Sequence, residues 1–301
     1  MIKRTLWLGV GAYIATSISP TALAVEQSNA RDAAQPILQI AAAGEKGEAG
    51  EKGEAHHKAR QSSQGAAGEA GEKGETSGQQ GESAALAGLD EDAALMANLL
   101  LMEGHLRVGK ELIDQNAWDD ALPHFMHPVE ELYDSVRSGL KTHGVKPFKK
   151  DLDRLAKRVE AKQDGPAFNK DYDRMRGKLN KAIDGIEKGI RQNPGDVVPV
   201  FLAILKQAGE EYQEAVVDGQ LANVVEYQDG RGFVWAAEGL WQEAKPALQA
   251  RNAEAYAKVS ELLTGLKQTW PTASAPQAPV KTLGEVSSAI SSIEFALSPL
   301  Q

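Results

Sequence analysis

Histidines and carboxylates are concentrated in one stretch of the sequence, Met102–Tyr133, which contains three of the six histidines of the chain. The side chains there that could ligate a metal ion are Glu103, His105, His124, His127 and Glu131. Imidazole and carboxylate ligands together suit iron, manganese, zinc or copper(II). Apolar residues recur around them at helical spacing, so the polar groups are expected inside a helical core. There they form either a metal site or a polar network that serves only the fold.

The interval Gln115–Trp118 divides this stretch and has the length of a short turn between two helices. Such a turn folds the two helices back on each other. Glu103 and His105 are therefore expected to lie near the two later histidines.

His124 and His127 leave two alternatives open, because Pro128 follows them directly. If the helix continues, both imidazoles share one face with Glu131, which is a good geometry for chelation. If Pro128 instead starts a new helix, as proline often does, His127 and Glu130 would cap that helix.

Carboxylates also fall on apolar helix stripes in the second half of the chain. Glu226 and Asp229 lie on the stripe that contains Phe233, and Glu211 lies at the edge of another. An ionised carboxylate costs several kcal/mol to bury unless it is paired or bound to a metal. Glu211 and Glu226 are predicted as further metal ligands, with pairing to an arginine or a tyrosine as the structural alternative.

The composition restricts the chemistry. The chain has no cysteine, which excludes disulfides, thiolate metal sites and cysteine nucleophiles. Its formal net charge of −9 disfavours roles on nucleic acid or on an anionic membrane surface. The sequence contains no HEXXH motif, phosphate-binding glycine loop or nucleophile elbow, so we do not expect an enzyme.

The N-terminal part of the sequence is predicted to lie outside the folded domain. Met1–Ala24 has the basic start, apolar middle and Ala-x-Ala end of a secretory signal peptide, so we expect a periplasmic or secreted protein. Val25–Ala87 is rich in Gly, Glu and Lys, with glycine at every third position in two blocks, and is predicted to be a disordered tether. The adjacent His56 and His57 in this tether are expected to be incidental.

The remainder, residues 88–301, predicts an all-α domain, a bundle of seven to nine helices. Helical periodicity favours helices from about Asp90 to Gln115 and over Trp118–His143, Phe148–Lys162, Phe168–Ile190, Val197–Asp218, Leu221–Leu248, Ala253–Lys267 and Leu283–Leu297. A strong turn at Asn193-Pro194-Gly195, with Asp196 as the expected cap, divides the bundle into possible halves, 88–193 and 196–301. No alternating run indicates a convincing strand.

The order EEY…AVVDG…EYQD within Ala208–Gly239 resembles the extracytoplasmic helical domain that accompanies high-affinity iron permeases. In outline it is also similar to the all-helical imelysin-like periplasmic iron-uptake proteins. The permease helices and their Arg-Glu-x-x-Glu motif are absent from the sequence, as is the imelysin Gly-x-His-x-x-Glu pattern. The resemblance therefore implies metal handling rather than transport itself.

Together these observations predict an exported periplasmic protein that binds a transition metal and assists its uptake. Iron is the expected metal, with copper or zinc as alternatives, and a membrane permease is the expected partner. The predicted ligands are Glu103, His105, His124, His127, Glu131, Glu211 and Glu226. The alternative function is a helical protein–protein interaction module without a metal, held by the flexible tether.

Overall fold

The computed structural model describes residues 85–190 and 192–301, which belong to one compact unit of the chain. The predicted signal peptide and nearly all of the predicted tether, including His56 and His57, lie outside the described residues. Among the described residues, no helix has the length and apolar character needed to cross a bilayer.

The all-α prediction is confirmed. The helices are α1 Glu91–Asp114, α2 Trp118–His127, α3 Tyr133–Thr142, α4 Lys149–Glu160, α5 Pro166–Ile190, α6 Pro194–Ala215, α7 Val224–Glu243, α8 Lys245–Lys267 and α9 Leu283–Leu297. One apolar core runs through them without a break, from Ala93 in α1 to Leu297 in α9. Whether the two predicted halves fold separately stays a prediction.

Helix α1 lies at the centre of the fold and packs against α2, α3, α5, α6 and α7. Its N-cap is Asp90, whose carboxylate accepts a hydrogen bond of 2.8 Å from the backbone N–H of Ala93. The chain reverses direction after α1 at Asn116, which has a positive φ of 63°. The predicted turn, which brings α2 back onto α1, is thus confirmed.

The path from α2 to α3 is helical throughout, with a π-helical turn over Pro128–Leu132. His127 has helical backbone angles and makes no side-chain capping bond, so the capping alternative is wrong. Proline has no N–H to contribute and crowds the preceding turn of an α-helix. The wider π turn carries the chain past Pro128 without starting a new helix.

Helix α6 ends earlier than the sequence predicted because a short hairpin follows it. Strands β1 Val216–Val217 and β2 Gln220–Leu221 pair antiparallel around Asp218 and Gly219, which both have positive φ. An Asp-Gly pair in this conformation is typical of a tight hairpin turn. The expectation that Val197–Asp218 is all helix was therefore wrong at its end.

Two other helix boundaries differ from the sequence prediction. The N-cap of α6 is Asn193, whose side-chain oxygen accepts from the Gly195 N–H at 3.1 Å, and not Asp196. Helix α7 ends at Glu243, so the region expected as Leu221–Leu248 passes into α8, which kinks at Asn252. The predicted last helix is confirmed, with a capping box formed by Thr282 and Glu285.

Candidate metal centre

The centre of the candidate site is Asp229, whose side chain is buried in α7. Its Oδ1 atom lies 2.5 Å from Nδ1 of His105 and 2.7 Å from Nδ1 of His124. Its Oδ2 atom lies 3.3 Å from Nδ1 of His127. Three imidazoles thus meet at one carboxylate, and we call these four residues the Asp229 cluster.

A close crossing of α1 and α7 brings His105 to Asp229. A Cβ atom on Gly232 would overlap the backbone carbonyl of Gly104, and one on Gly104 would lie 2.8 Å from Cδ1 of Phe233. Any side chain at either glycine would push the two backbones apart. The two glycines therefore allow the backbones of α1 and α7 to approach closely enough for His105 to reach Asp229.

Helix α2 supplies the other two histidines and also approaches α1 closely. A Cβ atom on Gly109 of α1 would lie 2.7 Å from a ring carbon of Phe125 and 3.2 Å from Cβ of His124. His124 and His127 are three residues apart on one helix, so they lie on the same face. That face is turned towards Asp229.

Gln228 fixes the orientation of His124. The amide oxygen of Gln228 accepts from Nε2 of His124 at 2.8 Å, while its amide nitrogen donates to the carbonyl of Ala273 at 3.2 Å. Both ring nitrogens of His124 therefore face oxygen atoms, which hold the ring in one orientation. The ring of Phe233 meets His105 edge-on, with centroids 4.9 Å apart, and closes the apolar side of the cluster.

The electrostatics favour the charged forms of Asp229 and His127. Burial raises the pKa of Asp229, but the charges of His105 and His124 and their hydrogen bonds lower it further, to well below its usual value. Burial lowers the pKa of His127, but its hydrogen bond to Asp229 and the charge of Asp229 raise it above its usual value overall. The cluster is therefore a buried network of hydrogen bonds around a charged carboxylate, with an ion pair between Asp229 and His127.

Three other predicted ligands lie next to the cluster. Burial and the charge of Asp229 raise the pKa of Glu226, which shares a hydrogen bond with Glu211. Glu211 also accepts from Nε2 of Gln207 at 2.6 Å. The negative charge of Glu131 contributes to the raised pKa of His127. Glu131 and Glu226 thus act electrostatically on the cluster, whereas Glu211 is linked to it through Glu226.

Glu103 lies elsewhere. It is two residues before His105 on α1, a spacing that turns the two side chains to different sides of a helix. It lines a cavity of about 280 Å³ between α1 and α5. The structure therefore does not bring Glu103 to the three histidines.

The donor set of the cluster fits a transition metal. His105, His127 and Asp229 each offer one ligand atom, and these atoms lie within 4.8 Å of one another. Bonds of about 2.0–2.2 Å to one ion put its ligand atoms no more than about 4.4 Å apart, so a small inward movement suffices. Two imidazoles and a carboxylate are a donor set known for non-haem iron. Binding would replace the protons that the imidazoles now share with Asp229.

The ligands expected from the sequence do not include Asp229. The sequence also did not single out Gln228, which orients His124. A signal for Asp229 was present, because it lies one helical turn after Glu226 on the apolar stripe of α7. No pattern distinguished it as the meeting point of three histidines from other helices. The metal-binding roles of the predicted residues stay predictions.

Comparison with known proteins finds a similarity for part of this site. No curated protein and no solved structure matches the chain. A family model does match, and it covers helices α6 to α9 with Glu211, Glu226 and Asp229. The three histidines lie before the matched region, which includes and extends the segment Ala208–Gly239. The resemblance is confirmed: residues 187–300 match the iron permease-associated 4-helix bundle domain.

Proposed function

We propose that this chain is an exported iron-binding protein that assists an iron permease on the outer side of the membrane. The observation that carries the proposal is the Asp229 cluster, which joins an acid of the permease-associated region to three histidines from α1 and α2. The family match supports a permease as partner and iron as cargo.

In this proposal Asp229, His105 and His127 bind the ion, and His124 holds the carboxylate in place. Glu131, whose charge acts on His127, adds negative charge beside the cluster and so favours a bound cation. His127 has a side chain that is 14% exposed, whereas that of His124 is fully buried, so the ion would enter past His127. Zinc and copper(II) can bind the same ligand atoms. The relative affinities for iron, zinc and copper(II) therefore determine which metal the site selects.

Titration calorimetry of the purified protein with Fe(II), Zn(II) and Cu(II) tests this proposal. The pair His105→Ala with His127→Ala should lower iron affinity at least about a hundredfold, the order expected for loss of two of three ligands. The matched control is His143→Ala, because Nε2 of His143 also bonds a carboxylate, that of Asp92, at 2.7 Å. Equal iron affinity in all three proteins would exclude the cluster as the site.

A second function is favoured by one observation: every Nδ1 atom of the cluster already faces an oxygen of Asp229. A network satisfied in this way could serve only the fold, and the chain would then be a metal-free helical interaction module. Dialysis with a chelator separates the two functions. Under the iron proposal the added metal raises the melting temperature by mass action, whereas a module without a metal melts at the same temperature with and without metal.

A further inference from the structure

The charges of this protein are unevenly distributed. Although the whole chain has a formal net charge of −9, residues 141–181 contain 13 Lys and Arg against six Asp and Glu. These residues include all of α4 and most of α5. This segment thus has a net positive charge on a protein whose total charge is negative, and we call the surface that it forms the basic surface.

The basic surface contains a shallow cavity of about 500 Å³ along α4. We call it the α4 cavity, and its lining residues are Lys150, Asp153, Arg154, Lys157, Arg158 and Gln163. Four of the six are cations and one is an anion. A concave surface lined by one sign of charge concentrates ions of the other sign.

Buried carboxylates hold the two arginines of the cavity in place. Asp171, with a side chain 8% exposed, accepts from Nε of Arg158 at 2.7 Å, and Nη1 of Arg154 lies 3.6 Å from the same carboxylate. The hydrogen bond from Arg158 lowers the pKa of Asp171, so this anchor stays charged. A guanidinium has five N–H donors, which leaves donors on both arginines for another anion.

The two lysines that line the cavity are exposed to solvent. Within residues 85–190 and 192–301, neither Lys150 nor Lys157 has an ion-pair partner. Anchored arginines next to exposed lysines are a combination suited to phosphate groups. None of the lining residues is aromatic, so the stacking platform used by single-stranded nucleic-acid sites is missing from the α4 cavity.

We propose that the α4 cavity and the cations around it dock this protein on a bilayer of anionic phospholipids, with the lipid phosphates held between the arginines and lysines. Basic clusters bind such surfaces with a contribution from each cation. Helix α4 packs on α2, which carries His124 and His127, so docking would hold the candidate metal centre near the membrane. The docking proposal adds to the proposed function but does not depend on metal binding.

Vesicle sedimentation in the presence of a chelator tests the proposal. The purified protein should bind vesicles of phosphatidylglycerol mixed with phosphatidylcholine, bind phosphatidylcholine alone at least about tenfold more weakly, and detach as salt is raised. Lys150→Glu with Lys157→Glu should weaken binding to the anionic vesicles about tenfold or more. The matched control, Lys245→Glu with Lys258→Glu, makes the same charge change on exposed positions of α8 and should bind as the parent does.

The outcomes distinguish binding of lipid from binding of other anions, and membrane docking from metal binding. Lys150→Gln with Lys157→Gln should give a smaller loss of vesicle binding and guards against an effect of the new acids on folding. Equal binding by the parent and by the α4 variants, or equal loss in the α8 control, would overturn the proposal. So would binding of inorganic phosphate or of polyglutamate by the parent without binding to vesicles. Iron affinity should be the same in parent and α4 variants, so failure of docking leaves the proposed function testable.

Discussion

At the scale of single residues, Asp229 is the most consequential side chain of the fold. It is almost fully buried and holds histidines from two other helices. A buried charge is tolerated only while its partners remain, so loss of one member leaves the others uncompensated. The same geometry that suits a metal is therefore also needed for stability.

Replacing Asp229 with Asn should destabilise the protein by about 3–5 kcal/mol, because His127 loses its counter-charge and two buried imidazoles lose the carboxylate that they contact. Urea unfolding of the metal-free protein measures this. The control is Asp92→Asn, which removes the exposed partner of His143 and should cost about 1 kcal/mol or less. Similar losses in the two variants would mean that the cluster is not an ion-pair network.

The cluster also predicts a pH dependence. The raised pKa of His127 means that its contribution to stability is complete below its unfolded value of 6.5 and is lost as pH rises through its higher folded value. The lowered pKa of Asp229 means that its contribution is present above 3.8 and is lost as pH falls towards its folded value. Both contributions are therefore present between pH 3.8 and pH 6.5, the two unfolded pKa values.

The difference in unfolding free energy between the metal-free parent and His127→Gln should therefore be larger at about pH 5 than at about pH 8.5. Taking the difference removes the contributions of the other titrating groups that the two proteins share. Urea titrations at the two pH values measure it. A difference that grows with pH would contradict the assignment of a raised pKa to His127.

At the scale of the elements, the crossing of α1 and α7 decides which side chains meet. Periodicity and caps were sufficient to predict α1, the turn after it and α9, because those signals lie in adjacent residues. They could not predict that His105 meets Asp229 while Glu103 does not. That outcome depends on the contact between Gly104 and Gly232, which lie in separate helices. The hairpin was missed because two-residue strands are too short to show a period.

Gly232→Ala should destabilise the protein by about 1–3 kcal/mol and weaken iron binding, because its Cβ atom would overlap the carbonyl of Gly104. The control lies on the same helix. Gly239 has open space where a Cβ atom would stand, so Gly239→Ala should be neutral or stabilise by up to about 1 kcal/mol. Urea unfolding and iron titration of both variants test this. Equal effects of the two substitutions would show that the helix crossing is not tight.

At the scale of the whole molecule, the region matched by the family model, residues 187–300, does not contain the whole Asp229 cluster. Residues 187–300 supply Asp229, and α1 and α2 supply the histidines. Arg231 adds a second connection, since its guanidinium bonds Glu111 of α1 through Nε at 3.0 Å and Nη2 at 2.9 Å. It also lies over the ring of Trp235, 4.2 Å from the ring centroid. Polar contacts at Asp229 and at Arg231 thus join the matched region to α1 and α2.

A fragment of residues 193–301 should therefore be helical but less stable than the parent, and it should not bind iron. Without α1 the buried surface of α7 around Phe233 is exposed to water, and Asp229 loses all three imidazoles. We expect a lower urea midpoint, and adding the fragment 85–192 should raise the midpoint and restore iron binding. The same mixture with Gly232→Ala should assemble more weakly, because the tight crossing would have to form between two chains. A fragment 193–301 that is as stable as the parent and binds iron alone would show that the permease-associated region carries the complete site by itself.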